Sequence, residues 1–233
     1  GTLYLGAQYL FRTRDRGTTW DRISPDLTTN NPARQQQEKS GGITVDNSSA
    51  EMHTTIYSIS ESPKAAGTIW VGTDDGNVQV TKNGGTSWTN VTKALKLGRD
   101  NWISWVEASQ HDANTAYVAV DRHVWGDMTP HLFVTRDGGR SFTRIAGAAT
   151  PKGSSGGIRG YAHVIKEDRV DPRILYAGTE FGLFVSRDAG ATWEEFRPGN
   201  FPAVAVRDLV QSKKGDDLVP VSYTHLTLPT NRE

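Results

Sequence analysis

Apolar residues occur along the chain in short runs separated by polar, glycine-containing segments. Typical runs are Ile69–Val71, Val78–Val80 and Leu183–Val185. Short runs rich in β-branched and aromatic residues predict β-strands, and no stretch sustains the 3.6-residue period of an amphipathic helix. Several runs are almost continuously apolar, which favours sheets that are covered on both faces. The pattern therefore predicts an all-β protein.

One eight-residue pattern occurs four times between these predicted strands. It reads Ser/Thr, any residue, Asp/Asn, any residue, Gly, any residue, Ser/Thr, Trp/Phe, and we call each copy an octet. At average composition one match is expected on the order of once per hundred thousand positions, so four matches are a true repeat. The octets are Thr13–Trp20, Thr81–Trp88, Thr135–Phe142 and Ser186–Trp193.

Each octet stands at the same place in a unit of four predicted strands. Two strand signals precede it, an aromatic-led strand follows it, and one more strand, such as Thr55–Ile59, comes before the next pair. Repeated all-strand units with a tight turn in the same place are typical of a radial array of sheets. We therefore predict a partial β-propeller of four-stranded antiparallel blades, with a β-sandwich or β-helix as the alternative.

The predicted organisation is one partial propeller over residues 1–219. The segment from Ser24 to His53 is rich in Asn, Gln, Thr and Ser and is longer than a plain connection between blades. It is either an exposed insertion or a lid over the channel. The predicted parts are an incomplete blade at 1–30, an inter-blade insertion at 31–54, blades at 55–96, 97–150 and 158–200, and the start of a further blade at 203–219.

The octet residues are predicted to be structural. The third side chain can accept hydrogen bonds from backbone N–H groups two or three residues on, the fifth glycine can supply positive φ, and the last aromatic can pack under the hairpin. Asn83 lacks the charge and Phe142 lacks the indole N–H, so a catalytic carboxylate is not conserved among the copies. The predicted structural residues are Thr13, Asp15, Gly17, Trp20, Thr81, Asn83, Gly85, Trp88, Thr135, Asp137, Gly139, Phe142, Ser186, Asp188, Gly190 and Trp193.

Composition excludes several classes of function. Lys plus Arg and Asp plus Glu both number 26 among 233 residues, so no overall field favours nucleic acid as a partner. The absence of cysteine excludes disulfides and thiolate chemistry.

No histidine pair has the helical spacing of a zinc protease, and the segment 153–160 lacks the ending of a phosphate loop. We predict no metal and no cofactor, and no apolar run is long enough to span a membrane.

The octets resemble the Asp box of bacterial-neuraminidase-repeat proteins. The surrounding sequence resembles the sortilin-like propellers that are often labelled glycosyl hydrolase in bacterial genomes, for example at Ile59–Pro63, Gly72–Gly76 and Gly178–Ser186. This resemblance covers about residues 1–219 and implies a large secreted or periplasmic protein with further blades, but no demonstrated reaction. Sialidases share the Asp box and carry an Arg-Ile-Pro signature, which is absent here, so a sialidase is disfavoured.

The end of the chain departs from this resemblance. Residues 220–233 resemble a translated sequencing-library adapter, a contaminant of assembled environmental DNA, and a divergent strand is the alternative. We therefore base no functional argument on His225.

A functional site is expected on the face opposite the octets, where the loops between second and third strands and the loops between blades converge. The low-ranking catalytic candidates there are Asp74, Asp75, Asp121 and Glu180. Other polar or aromatic residues expected on this face are Gln8, Tyr9, Glu51, His53, Arg99, Asn101, His123, Arg159 and Tyr161.

Two functions follow from this placement. The first is a non-catalytic propeller that binds a peptide, protein or glycan through its loop face, together with the remaining blades of the full-length chain. The alternative is a glycoside hydrolase, which requires two carboxylates roughly 5 to 10 Å apart. Exposed aromatic rings beside such a pair would favour the hydrolase, and Trp102, Trp105 and Trp125 are the candidates.

Overall fold

The computed structural model describes residues 1–35, 53–98, 101–147, 157–197, 199, 201–202, 204–212, 214 and 217–222. Within them, strands form five antiparallel sheets, and short 3-10 segments lie at Pro32–Arg34, Thr92–Leu95 and His123–Trp125. No helix in these ranges has the length and apolar character needed to cross a bilayer.

The three central sheets each contain four strands in chain order, and we call them blades 2, 3 and 4. Blade 2 consists of β4 (Ile56–Glu61), β5 (Ile69–Thr73), β6 (Val78–Thr81) and β7 (Thr89–Asn90). Blade 3 consists of β8 (Trp102–Ala108), β9 (Ala116–Arg122), β10 (Asp127–Thr135) and β11 (Thr143–Ala146). Blade 4 consists of β12 (Ala162–Glu167), β13 (Leu175–Thr179), β14 (Gly182–Ser186) and β15 (Glu194–Glu195).

Two smaller sheets flank the central ones. Blade 1 consists of β1 (Leu3–Gly6), β2 (Leu10–Thr13) and β3 (Asp21–Arg22), and blade 5 of β16 (Asp208–Gln211) and β17 (Leu218–Val221). The prediction of an all-β partial propeller with four-stranded blades is confirmed. Of the predicted non-native tail, Pro220 and Val221 belong to β17, and residues 223–233 lie outside the described part of the chain.

The apolar core of the described residues is divided into layers, one between each consecutive pair of blades. Trp70 and Val80 of blade 2 pack with Phe133 of blade 3, and blade 3 packs in the same way against Phe184 of blade 4. All five residues of β5 and all four of β6 are buried. These strands are almost continuously apolar because a neighbouring blade covers each face.

The first strands of successive blades lie next to each other. β4 contacts β8, β8 contacts β12, and β12 contacts β16. Because each sheet is a meander with its first strand at one edge, these four strands line a common channel, and the octets lie towards the opposite edge of each sheet.

Each octet joins the last two strands of its sheet through a hydrogen-bonded turn. Asp15 Oδ1 accepts the Thr19 N–H at 2.9 Å and the Thr13 hydroxyl at 2.7 Å. The Thr19 hydroxyl donates to Asp15 Oδ2 at 2.7 Å. The accepted amide lies four residues on, and not two or three as expected, because the chain makes a full loop around the carboxylate. Asp137 and Asp188 repeat this arrangement.

The fifth-position glycines have positive φ, between 90° and 101°. In three octets the glycine also meets the preceding blade. A Cβ on Gly139 would lie 2.9 Å from Val91, one on Gly190 would lie 2.9 Å from Ile145, and one on Gly85 would overlap the carbonyl oxygen of Ile23. The octets therefore close a turn within one blade and also fit that blade closely against the blade before it.

The aromatic residue that ends each octet makes a second contact with the preceding blade. The indole N–H of Trp88 donates to the Ile23 carbonyl at 3.0 Å, and that of Trp193 donates to the Ile145 carbonyl at 2.9 Å. Phe142 packs at the equivalent interface without such a donor. Trp20 remains 40% exposed. The rings thus pack between blades, and not simply under their own hairpins.

We expect Asp137→Asn to preserve the fold better than Asp137→Ala. Asn83 already makes the equivalent bonds, accepting the Thr81 hydroxyl and the Ser87 N–H at 2.9 Å each. Alanine would leave the Ser141 N–H without its acceptor. Urea unfolding of both variants measures the difference, and equal losses of stability would contradict the role of Asp137 as a turn-closing acceptor.

Candidate functional site

A cavity of about 640 Å³ lies in the channel, at the end where the second-to-third-strand loop of blade 3 reaches it. The first strands of blades 2 to 5 all contribute to it, since Tyr57 is in β4, Trp102 in β8, His163 in β12 and Asp208 in β16. We call it the channel cavity. Its lining residues are Tyr57, Trp102, Ser104, Trp105, Asp121, His123, His163, Arg207, Asp208, Val221 and Ser222.

Two of the predicted residues, Asp121 and His123, meet at one wall of this cavity. Asp121 is the penultimate residue of β9, the second strand of blade 3, and is 5% exposed. Its Oδ1 accepts the His123 N–H at 2.8 Å and lies 2.7 Å from His123 Nδ1. The His123 ring stacks on Tyr161 of the next blade, with ring centroids 4.2 Å apart. The carboxylate therefore orients the imidazole against the neighbouring blade.

Glu180 is the centre of the adjoining network. Its Oε2 accepts the Tyr161 hydroxyl at 2.9 Å and lies 3.1 Å from His163 Nε2 and 3.7 Å from a guanidinium nitrogen of Arg207. Asp121 and Glu180, both singled out from the sequence, are thus linked through the stacked rings of His123 and Tyr161. One polar network joins the ends of β9 and β13.

The surroundings of this network shift the pKa values of its titratable groups. Burial and the hydrogen bond to Glu180 raise the pKa of Tyr161 to about 12. Burial lowers the pKa of His163 despite the neighbouring carboxylate. Burial acts to raise the pKa of Glu180, but hydrogen bonds from Tyr161 and His163 outweigh it and hold that pKa below its usual range. At neutral pH Glu180 is therefore ionised and Tyr161 is protonated.

Aromatic rings form the other wall of the cavity. Tyr57, which is 57% exposed, contacts Trp102 edge-on at a centroid distance of 5.0 Å. Trp105 is partly covered, because the Lys166 ammonium lies 4.5 Å over its ring and pairs with Glu107 at 2.8 Å. Trp102 and Trp105, predicted from the sequence, thus line the channel cavity, whereas Trp125 is 40% exposed and is not among the lining residues.

Asp74 and Asp75 do not line the channel cavity, and they form hydrogen bonds with the chain near Thr29 and Thr54. Asp74 Oδ1 accepts the N–H groups of Thr54 and Thr55, at 2.9 and 2.7 Å, and burial raises its pKa. Asp75 Oδ2 accepts the Thr29 N–H and hydroxyl, each at 2.6 Å. This pair therefore holds the segments on either side of the insertion.

The remaining sequence candidates are dispersed. The Tyr9 ring lies under the Arg22 guanidinium, the Gln8 carbonyl accepts the Leu27 N–H, and Arg159 pairs with Glu195 at 3.0 Å. His53 and Asn101 are described but do not line the cavity, and Glu51 and Arg99 fall outside the described residues.

The residues predicted from the sequence do not include most of the cavity lining, for example Tyr57, His163, Arg207 and Asp208. These four lie on or next to first strands, whereas most of the residues predicted from the sequence lie in loops. The available signal was the presence of polar and aromatic side chains inside otherwise apolar first strands, because side chains of these strands that face the channel can be solvated. In the described part of the chain, no three His, Asp or Glu side chains converge as a metal site would require.

The fold is similar to that of solved β-propeller proteins. An ancestral GH74 enzyme superposes with a TM-score of 0.63 at 16% identity, over 94% of this chain and 25% of that protein. The GH74 enzyme of Niastella koreensis superposes at 0.58 with 13% identity, over 92% and 30%. YCF48 bound to D1 peptide superposes at 0.50 with 20% identity, over 72% and 48%.

In sequence, no family model matches this chain, and no curated protein matches it. The chain spans between a quarter and a half of the length of the three solved structures. At these identities the likeness concerns the fold alone. Together with the meander of four-stranded sheets around a shared channel, it shows that this chain is a partial β-propeller.

Proposed function

We propose that this chain is a non-catalytic, ligand-binding part of a β-propeller and that it binds a peptide, protein or glycan in the channel cavity. The observation that carries the proposal is the division of this cavity into two walls. One wall presents the rings of Tyr57 and Trp102, and the other presents polar side chains that already have partners, as Asp121 has in His123 and His163 has in Glu180. Aromatic surface with a few fixed polar groups is typical of binding sites.

The state of the two carboxylates supports binding over hydrolysis. A glycosidase needs one carboxylic acid that remains protonated until it donates to the leaving oxygen, and such acids have raised pKa values. The pKa of Glu180 is held below its usual range by the hydrogen bonds from Tyr161 and His163. Asp121 is buried and holds both the N–H and the ring of His123. Glu180 is therefore not suited to donate that proton at neutral pH.

A glycoside hydrolase is the second candidate, and one observation favours it. Asp121 lies next to the end of β9, Glu180 directly follows β13, and both belong to one network beside the cavity. The chain also shares its fold with GH74 enzymes. Incubation with a polysaccharide panel, followed by analysis of released reducing ends, distinguishes the two functions. Release by the native chain that is lost in both Glu180→Gln and Asp121→Asn would establish the hydrolase.

The finer family assignment is also part of the proposal. Four octets with the turn geometry of Asp15 support a sortilin-like, Asp-box propeller, which belongs to a secreted or periplasmic protein whose further blades complete the ring. Fractionation of the native host with an antibody against this chain tests the location, and recovery in the cytoplasmic fraction would contradict it.

Trp102→Ala should weaken binding of any ligand that occupies the channel cavity by about tenfold or more, since buried aromatic contacts dominate such sites. Trp125→Ala removes the same side chain from outside the cavity lining and should leave binding unchanged. Titration calorimetry with whichever peptide or oligosaccharide binds the native chain measures both. Equal affinity in native and Trp102→Ala would show that the ligand binds elsewhere.

A further inference from the structure

A second cavity, of about 570 Å³, lies between blades 2 and 3 at the edge opposite the channel. It runs between the octet turn of blade 2 and the octet turn of blade 3, and we call it the octet groove. Three cations line it, namely Lys82, Lys93 and Arg140. Of the described residues that line it, none is an Asp or Glu, although acidic and basic residues are equally numerous in the whole chain.

These cations are not neutralised within the described structure. None of the ion pairs among the described residues includes Lys82, Lys93 or Arg140. The Lys82 ammonium occupies the space where a Cβ on Gly138 would stand, so this side chain crosses the groove to the next blade. A groove with three positive charges and no carboxylate in its lining attracts an anion.

One of the two octets that line this groove is the octet in which Asn83 replaces aspartate. In the other three octets the hydroxyl of the seventh residue donates to the carboxylate, as Ser141 does to Asp137 at 2.6 Å. Asn83 Oδ1 accepts the Ser87 N–H, which fixes Nδ2 on the other side, where it donates to the Ser87 hydroxyl at 2.9 Å. The direction of this hydrogen bond is therefore reversed.

The reversal has two consequences for the groove. It removes a negative charge from the octet that carries Lys82, and it leaves the hydrogen of the Ser87 hydroxyl to donate into the groove that Ser87 lines. A hydroxyl donor and three cations are the groups that bind the oxygens of a phosphate or sulfate group. We infer that the octet groove is a binding site for a tetrahedral oxyanion, carried as a sulfate or phosphate ester on a larger ligand.

The inference is tested by titration calorimetry of the full chain in low-salt Tris buffer. The probes are glucose 6-sulfate, glucose 6-phosphate and glucose, and the two esters distinguish a sulfate from a phosphate ligand. One or both esters should bind, while glucose should not. Asn83→Asp should weaken this binding by about tenfold or more, because it restores a carboxylate and turns the Ser87 hydroxyl back towards it. Arg140→Gln should also weaken it.

Arg14→Gln is the matched control. Arg14 has the same octet position as Lys82, but its turn contains Asp15 and the Thr19 hydroxyl is committed to that carboxylate. This variant should bind like the native chain. Asn83→Asp introduces the residue found in the other octets and should fold, which a thermal melt verifies. Failure of both esters to bind, equal binding by Asn83→Asp, or an equal loss in Arg14→Gln would each overturn the inference.

Discussion

Gly85→Ala should destabilise the fold by about 3 to 5 kcal/mol. Two costs combine at this position. A non-glycine residue at φ +101° costs about 1 to 2 kcal/mol, and the added methyl group would overlap the Ile23 carbonyl oxygen, which belongs to the backbone of the preceding blade and cannot rotate away. Relief of that overlap would also displace the carbonyl from the Trp88 indole N–H, which donates to it at 3.0 Å.

Gly17→Ala separates the two costs. Gly17 has nearly the same φ, +98°, but the nearest atom to its added methyl group would be 3.9 Å away, on its own Trp20. Only the backbone strain remains, so we expect a loss of about 1 to 2 kcal/mol. Urea unfolding of both variants measures the difference. If Gly17→Ala destabilises as much as Gly85→Ala, the contact with Ile23 contributes nothing and the octet is a turn alone.

The octets also show which structural features can be predicted from the sequence and which cannot. Their turn chemistry is local, so the roles of Asp15 and Gly17 follow from residue type and spacing within eight residues. The contact of Gly85 with Ile23 joins residues of different blades, and no spacing rule predicts it. In the same way, the apolar runs predict the strands but do not predict which residues of neighbouring blades pack together.

The channel cavity also has features that the sequence predicts and features that it does not. Asp121, His123, Glu180 and Trp102 could be singled out because their loops or aromatic character marked the face on which function was expected. What the sequence could not predict is that Glu180 accepts from Tyr161 and His163, since the register between β12 and β13 decides which side chains meet. That meeting lowers the pKa of Glu180, and our proposal of binding over hydrolysis rests on this shift.

A second interface between blades depends on one buried carboxylate, Glu167. It ends the first strand of blade 4, is 4% exposed, and accepts three hydrogen bonds from blade 3. The donors are the Ser109 hydroxyl and the Gln110 N–H, at 2.6 Å each, and the Tyr117 hydroxyl at 2.8 Å. Burial and the neighbouring carboxylate raise the pKa of Tyr117, so this hydroxyl remains a donor at any physiological pH.

Glu167→Ala should cost about 3 to 5 kcal/mol of folding stability, since it leaves three donors at a buried interface without their acceptor. Tyr117→Phe removes one donor and keeps the other two bonds, so about 1 to 2 kcal/mol is expected. Glu194→Ala is the control, because Glu194 is exposed and its surface pair with Arg187 contributes little. Urea unfolding followed by tryptophan fluorescence ranks the three variants. A loss in Glu167→Ala no larger than that in Glu194→Ala would mean that blade 4 is held against blade 3 by apolar packing alone.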